Sequence, residues 1–148
     1  MSIPDITERD YAREIPFRAP IEQVFDALTT LEGLAGWWTP IVSGNPKAGG
    51  EIRFGFTGLD EIIVIRVEEA KHPSSVIWSC LTHTGHPKWE GTRILFQLEG
   101  ERDRAGLLHF RHLGLTPQLS CYETCERGWE HFLSSLLDHV EHGTGSPF

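Results

Sequence analysis

The stretch YETCERGWEHFLSSLLDHV, residues 122–140, repeats apolar side chains at helical spacing and decides the overall fold. Ser120 and Glu123 have the spacing of a capping box before it, and Gly143 is placed to end the helix. A helix with one apolar face has to bury that face against another layer of structure. The apolar stripe consists of Tyr122, Cys125, Trp129, Phe132, Leu133, Leu136, Leu137 and Val140.

The segments upstream of this helix change to a period of two, which indicates β-strands. The first lies at 11–17, and others lie at 52–56, 63–67, 76–80, 92–98 and 108–112. Short connections between consecutive strands require antiparallel pairing. The residues predicted to point between the sheet and the last helix are Ile52, Phe54, Phe56, Ile63, Ile65, Trp78, Ile94, Phe96, Leu98, Leu108, Phe110 and Trp129.

Two short helices are predicted between the first strand and the rest of the sheet, the first opening at Pro20 and the second spanning 31–38. A Gly-rich loop follows at 43–50. The chain is therefore expected to form a single α+β domain, residues 1–148, with a curved antiparallel sheet of six or seven strands around the C-terminal helix. The space between a curled sheet and a straight helix is either filled by large side chains or left as a pocket.

The charge balance argues against some classes of partner. A formal net charge of -8, from 13 Lys+Arg and 21 Asp+Glu, disfavours binding to nucleic acid or an anionic membrane. No stretch approaches a membrane span, and residues 1–10 lack the features of a signal peptide, so a cytoplasmic location is expected.

The sequence gives only weak signals for a metal. Cys121 and Cys125 are one helical turn apart and could chelate a metal or form a redox pair, although apolar packing is commoner. His83 and His86, with Cys80 nearby, also offer zinc-type ligands. A structural zinc site normally has two close ligand pairs. We therefore predict free thiols, no metal site and no cofactor.

Several stretches resemble START-like domains of the SRPBCC superfamily: IPFRAPIEQVFDAL at 15–28, the Trp37-Trp38 pair, and GWEHFLSSL at 128–136. Within that superfamily the chain resembles the activator of heat-shock protein 90 ATPase homologue family, also through WEGT at 89–92, FRHLGL at 110–115 and EHGTGSPF at 141–148. The resemblance implies the helix-grip fold, with a cavity between sheet and helix that binds hydrophobic ligands in many relatives. It also implies that the co-chaperone proper carries a further N-terminal domain, so a chaperone partner is not expected here.

On this basis we expect the protein to bind a small hydrophobic or aromatic ligand, with no catalytic residues. Two alternatives stay open: an enzyme of polyketide cyclase or hydrolase type that acts on an aromatic substrate, and a co-chaperone-like interaction module. A homodimer also stays open. The expected ligand contacts are Trp38, Phe54, Phe56, Ile65, Trp78, Trp89, Phe96, Phe110, His112, Tyr122 and Trp129.

Two of these residues carry sharper expectations. His112 continues the inward face of the last strand, and it is either a buried histidine bonded to a backbone carbonyl, a catalytic group, or a donor that orients a ligand. The Trp37-Trp38 pair is expected at the cavity mouth, with one indole packed inward and the other bordering the entrance as part of a mobile lid or lying at a dimer contact. The alternative is a plain anchor that pins the short helices to the sheet. The tail at 144–148 is expected to be loosely held.

Overall fold

The computed structural model describes residues 10–101 and 105–148 and confirms the α+β class. The strands are β1 (Tyr11–Phe17), β2 (Val42–Gly44), β3 (Glu51–Gly55), β4 (Ile62–Lys71), β5 (Ser75–His83), β6 (Arg93–Glu101) and β7 (Ala105–Leu113). The helices are α1 (Ile21–Thr29), α2 (Leu31–Trp37) and α3 (Tyr122–His142), with a 3₁₀ turn at Pro87–Trp89.

All the strands form one seven-stranded antiparallel sheet in the order β1-β7-β6-β5-β4-β3-β2. The sequence missed β2, which lies partly in the segment expected to be a Gly-rich loop. Val42 pairs with Phe54, and Gly44 pairs with Ile52. Gly44 has a φ of 117°, and a Cβ there would collide with the carbonyl oxygen of Glu51. This edge strand therefore forms through its contact with β3 rather than through its own sequence pattern.

The predicted register is confirmed. Each of the twelve residues expected to point between the sheet and the last helix is buried, with at most 8% of its surface exposed. Cross-strand pairs on this face, such as Phe96 with Phe110 and Trp78 with Ile94, stack the apolar side chains in layers. Period-two alternation was sufficient here because one face of the sheet is covered and the other is not.

The ends of α3 show one correct and one wrong prediction. Gly143 is the C-cap with a φ of 80°, as the sequence indicated. The capping box is absent: the N-cap is Cys121 rather than Ser120, and its side chain makes no capping hydrogen bond. The helix is held by its buried face, so its start does not depend on a local cap.

The tail at 144–148 is fastened to the domain, contrary to the expectation. The backbone N–H of Ser146 donates to Ser135 Oγ at 2.6 Å, and the N–H of Phe148 donates to the carbonyl of Trp38 at 2.7 Å. Ser135 Oγ in turn donates to the carbonyl of Trp37 at 2.8 Å. The tail therefore connects α3 to the end of α2. Within the described residues, no helix is long and apolar enough to cross a membrane.

Candidate functional site

A cavity of about 260 Å³ lies between the sheet and the first half of α3. Its walls come from Trp38 after α2, the loop between β3 and β4, the start of β4, the end of β5, the 3₁₀ turn and the loop before it, α3 and the tail. The aromatic lining consists of Trp38, Phe56, Trp89, Trp129, Phe132 and Phe148. The polar lining consists of Glu61, His83, His86 and Thr124. Leu59 and Phe148, 47% and 49% exposed, mark the side that opens to solvent.

The position of the cavity follows from the residue sizes along α3. Its first half lines the cavity with the small residues Thr124, Cys125 and Gly128, of which Cys125 is buried and Thr124 is exposed, beside the larger Trp129 and Phe132. Its second half presents Leu133 and Leu136, which are both 0% exposed and fill the space against the core. The space between the straight helix and the curled sheet is therefore empty beside the first half of α3 and filled by side chains beside the second half.

The structure brings four of the eleven predicted ligand contacts to this cavity: Trp38, Phe56, Trp89 and Trp129. Tyr122 is partly buried and packs edge to face on Tyr11, with ring centroids 6.4 Å apart. The other six lie away from the cavity lining and are packed in the core, 0–1% exposed: Phe54, Ile65, Trp78, Phe96, Phe110 and His112. The positions of these six residues fit the alternative in which inward-facing side chains form the hydrophobic core and do not contact a ligand.

His112 lies in the middle of a linear chain of hydrogen bonds that runs from Trp129 to the carbonyl of Trp89. The indole Nε1–H of Trp129 donates to His112 Nδ1 at 3.0 Å, so the neutral ring carries its proton on Nε2. Nε2 lies 2.8 Å from Thr92 Oγ1, and that hydroxyl donates to the carbonyl of Trp89 at 2.5 Å. Burial lowers the pKa of His112 to about 3. Both ring nitrogens are therefore engaged, and His112 is a structural residue in this conformation; its partners are side chains, not the expected backbone carbonyl.

His83 is the buried one of the two histidines that line the cavity. Its Nδ1 accepts the backbone N–H of His86 at 3.0 Å, which places the proton of the neutral ring on Nε2. Its ring packs edge to face on Trp89, with centroids 4.7 Å apart. Burial, followed by the neighbouring His86, lowers the pKa of His83 to about 4. Near neutral pH it is an uncharged hydrogen-bond donor.

The thiols separate into two environments. Cys80 is 1% exposed, and burial raises its pKa to about 12, so it behaves as an apolar core residue. Cys125 lines the cavity, and its Sγ accepts the indole Nε1–H of Trp89 at 3.1 Å. The set Cys80, His83 and His86 does not form a ligand cluster among the described residues. Instead, donor atoms of His86, Cys121 and Cys125 all lie within 4.8 Å of one another.

Trp38 forms the inner wall of the cavity, and Trp37 is 0% exposed, so neither tryptophan of the pair borders the mouth and the anchor alternative fits. Trp38 is 2% exposed and stacks between Trp37 and Trp78, with centroid separations of 5.4 and 5.8 Å. The mouth is formed by Leu59 and Phe148, which the sequence did not single out. Neither residue belongs to a periodic pattern, so no local signal identified them.

A curled antiparallel sheet that grips a long C-terminal helix, with an apolar cavity between the two, defines a helix-grip domain of the START-like class. The chain belongs to the family described as Activator of Hsp90 ATPase homolog 1-like protein, whose family model matches residues 18–141. The resemblance noted from the sequence is thereby confirmed.

Solved structures agree with this assignment. The Aha1 dimer from Colwellia psychrerythraea is 31% identical, with a TM-score of 0.79 over 92% of this chain and 98% of that chain. CalU16 from Micromonospora echinospora is 22% identical, with a TM-score of 0.68 over 91% and 75%. DynU16, a putative protein of the dynemicin biosynthetic locus, is 19% identical, with a TM-score of 0.73 over 95% of this chain and 50% of that chain. The last two show similarity of fold alone. No curated protein matches the sequence.

Proposed function

We propose that this protein binds a small, largely apolar molecule in the cavity between the sheet and α3. The observation that carries the proposal is an aromatic-lined cavity that opens to solvent between Leu59 and Phe148. Its volume of about 260 Å³ is just below the range of roughly 300–1,000 Å³ found for drug-sized ligands. The ligand should therefore be small, of the order of one or two aromatic rings.

The polar groups of the lining indicate how such a ligand would be oriented. His83 has its Nδ1 occupied, so Nε2 is the atom that can donate a hydrogen bond to a carbonyl or hydroxyl oxygen. Glu61 and Thr124 can accept hydrogen bonds from other groups of the ligand, and the Thr124 hydroxyl can also donate one. A planar ligand with one oxygen function fits this combination best. His83 thus takes the orienting role that the sequence suggested for His112.

The test uses Gly128, which lines the cavity on α3. A Cβ at this position would have no atom within 4 Å, so side chains can be added without a backbone clash. Gly128→Phe should fill the cavity, and Gly128→Ala is the matched control that keeps most of it open. We expect the fluorescent two-ring probe 2-naphthol to bind wild type and Gly128→Ala, with at least a tenfold loss in Gly128→Phe. Equal binding by the two variants would contradict the proposal.

The natural ligand can be sought by the same logic. Native mass spectrometry of protein purified under non-denaturing conditions should reveal a small bound molecule, and that molecule should be absent from Gly128→Phe. The enzyme interpretation is not favoured, because His112 lies outside the cavity lining and both of its ring nitrogens are hydrogen-bonded. Turnover of an aromatic ester or polyketide-like compound that is lost in His83→Gln would reverse this preference.

We also propose that the protein acts in the cytoplasm as a homodimer. The support for the dimer is the 31% identical Colwellia protein, whose structure was determined as a dimer. Light scattering coupled to size-exclusion chromatography should give twice the chain mass of 16.7 kDa. A monomer at micromolar concentration would contradict the dimer. Specific retention of heat-shock protein 90 by the purified protein would instead support the co-chaperone alternative.

A further inference from the structure

Three side chains that commonly bind metals meet where α3 begins. Cys121 is the N-cap of this helix, and Cys125 lies one turn later. His86 comes from the loop after β5, far away in sequence. The fold places the imidazole nitrogen and the two sulfurs within 4.8 Å of one another. Such a juxtaposition of two thiols and an imidazole matches the ligand preference of zinc.

The surroundings hold two of these ligands in place. The indole Nε1–H of Trp89 points at Cys125 Sγ from 3.1 Å, and N–H donors of this kind stabilise the negative charge of a metal-bound thiolate. The backbone on both sides of the imidazole is fixed, because the N–H of His86 donates to His83 Nδ1 and its carbonyl accepts the N–H of Trp89 at 2.9 Å. The Trp89 indole thus supports the cluster from outside the ligand set.

We propose that His86, Cys121 and Cys125 bind one zinc ion at the end of the cavity. With zinc bonds of about 2.0–2.3 Å, tetrahedral ligand atoms lie roughly 3.3–3.8 Å apart. Atoms now up to 4.8 Å apart have to approach by about 1 Å. Cys121 and His86 are both partly exposed, so their side chains can rotate to make this adjustment while the buried Cys125 stays in place.

The position of the site suggests what completes the coordination. His86 and Cys125 both line the cavity, so a fourth ligand would reach the ion from the cavity. A water molecule or a donor atom of a cavity ligand would occupy the fourth position, as in zinc sites with three protein ligands. This replaces the expectation of no metal site, which rested on the sequence pattern alone. Metal binding itself does not depend on the proposed apolar ligand.

The experiment titrates the reduced 148-residue chain with Co²⁺, a spectroscopic substitute for zinc, and then displaces the Co²⁺ with Zn²⁺. We expect one equivalent to bind, with a thiolate-to-cobalt charge-transfer band and the visible bands of a tetrahedral ion. Cys121→Ala and His86→Ala should each weaken the affinity at least tenfold, and Cys121→Ala should also reduce the charge-transfer intensity. Cys80→Ala is the control, because Cys80 is a buried thiol outside the cluster.

The variants have to be folded before their metal affinities can be compared. Circular dichroism establishes that each variant is folded, and the two principal variants change partly exposed residues. Wild-type cobalt affinity in both Cys121→Ala and His86→Ala, undiminished charge-transfer intensity in Cys121→Ala, or loss of the band in Cys80→Ala would overturn the assignment. The absence of any charge-transfer band in the reduced wild type would do so as well. Probe binding by Gly128→Phe is measured separately, so failure of either proposal leaves the other intact.

Discussion

The indole nitrogen of Trp129 lies 3.0 Å from Nδ1 of His112, and this contact fixes the histidine as the tautomer with its proton on Nε2. That proton is directed at Thr92 Oγ1, whose own proton is directed at the carbonyl of Trp89. Helix α3, β7 and the turn before β6 are thereby joined by one chain of polar contacts inside an apolar core. Such a chain stabilises the fold only when every member has a partner.

Thr92→Val should therefore destabilise the protein although it preserves the shape of the side chain. The change leaves His112 Nε2–H without its acceptor, while the Trp89 carbonyl keeps the backbone N–H of Thr92 at 2.9 Å as its donor. The orphaned N–H costs about 1–3 kcal/mol of unfolding free energy. Urea denaturation measures this loss. Thr92→Ser, which keeps the hydroxyl, should cost less than the valine variant. A valine variant as stable as the serine variant would contradict the hydrogen-bond chain.

His112 should make the protein sensitive to acid. Its pKa is about 3 in the folded state against an ordinary value of 6.5, so the unfolded state binds the proton first as the pH falls. The stability is fully present above pH 6.5 and is lost between about 6.5 and 3, at up to about 1.4 kcal/mol per pH unit for this one group. Denaturation curves for His112→Asn should show a flatter dependence across this range. An unchanged slope would rule out the buried neutral histidine.

His109 on the open face of the sheet should show the opposite dependence. Its ring nitrogens lie 2.9 Å from Glu99 and 3.1 Å from Glu14, and the hydrogen bond to Glu99 is the main cause that raises its pKa. Its contribution is present below pH 6.5 and is lost as the pH rises through the raised pKa. His109→Gln should thus lower the melting temperature at pH 5.5 and leave it nearly unchanged at pH 9. An equal loss at both values would mean that the ion pairs contribute nothing.

Trp38→Ala should unfold the protein more easily rather than open a lid. The indole is 2% exposed and packs against Phe54, Trp78 and Trp129, so its removal leaves a cavity that costs about 3–5 kcal/mol. For a chain of this size, the melting temperature should fall by roughly 10 °C. Phe132→Ala, at a partly buried position on the same cavity, should cost less. A melting temperature near that of wild type in Trp38→Ala would restore the lid interpretation.

Ser135→Ala should loosen the mouth of the cavity. The variant removes the acceptor for the Ser146 N–H and the donor to the Trp37 carbonyl, which hold the tail that carries Phe148. Stopped-flow fluorescence should show apolar probe entering several times faster, because the tail detaches more often. Ser134→Ala, on the exposed side of the same helix, is the control and should behave as wild type. Identical entry rates in the two variants would show that the tail does not gate the cavity.

The wrong predictions share a physical origin. Trp38 and Ser120 were interpreted from local patterns, whereas the packing of α2 beneath the sheet and the buried face of α3 decided their positions. The edge strand β2 has no alternation of its own and pairs only because β3 offers a free edge. Phe148 reaches the cavity mouth through the hydrogen bonds of the tail, which no spacing rule encodes.

The sequence alone determined the layers of this protein, since period-two strands and a helical stripe specify which side chains must leave water. Only the tertiary structure decided where a cavity remains between the sheet and α3 and which polar groups line that cavity. That depends on side-chain volumes summed across β4, β5 and α3, and on the approach of His86 to Cys121 and Cys125. A hydrophobic pattern fixes the direction of a side chain, but a cavity or a ligand cluster depends on distances between elements that are far apart in sequence.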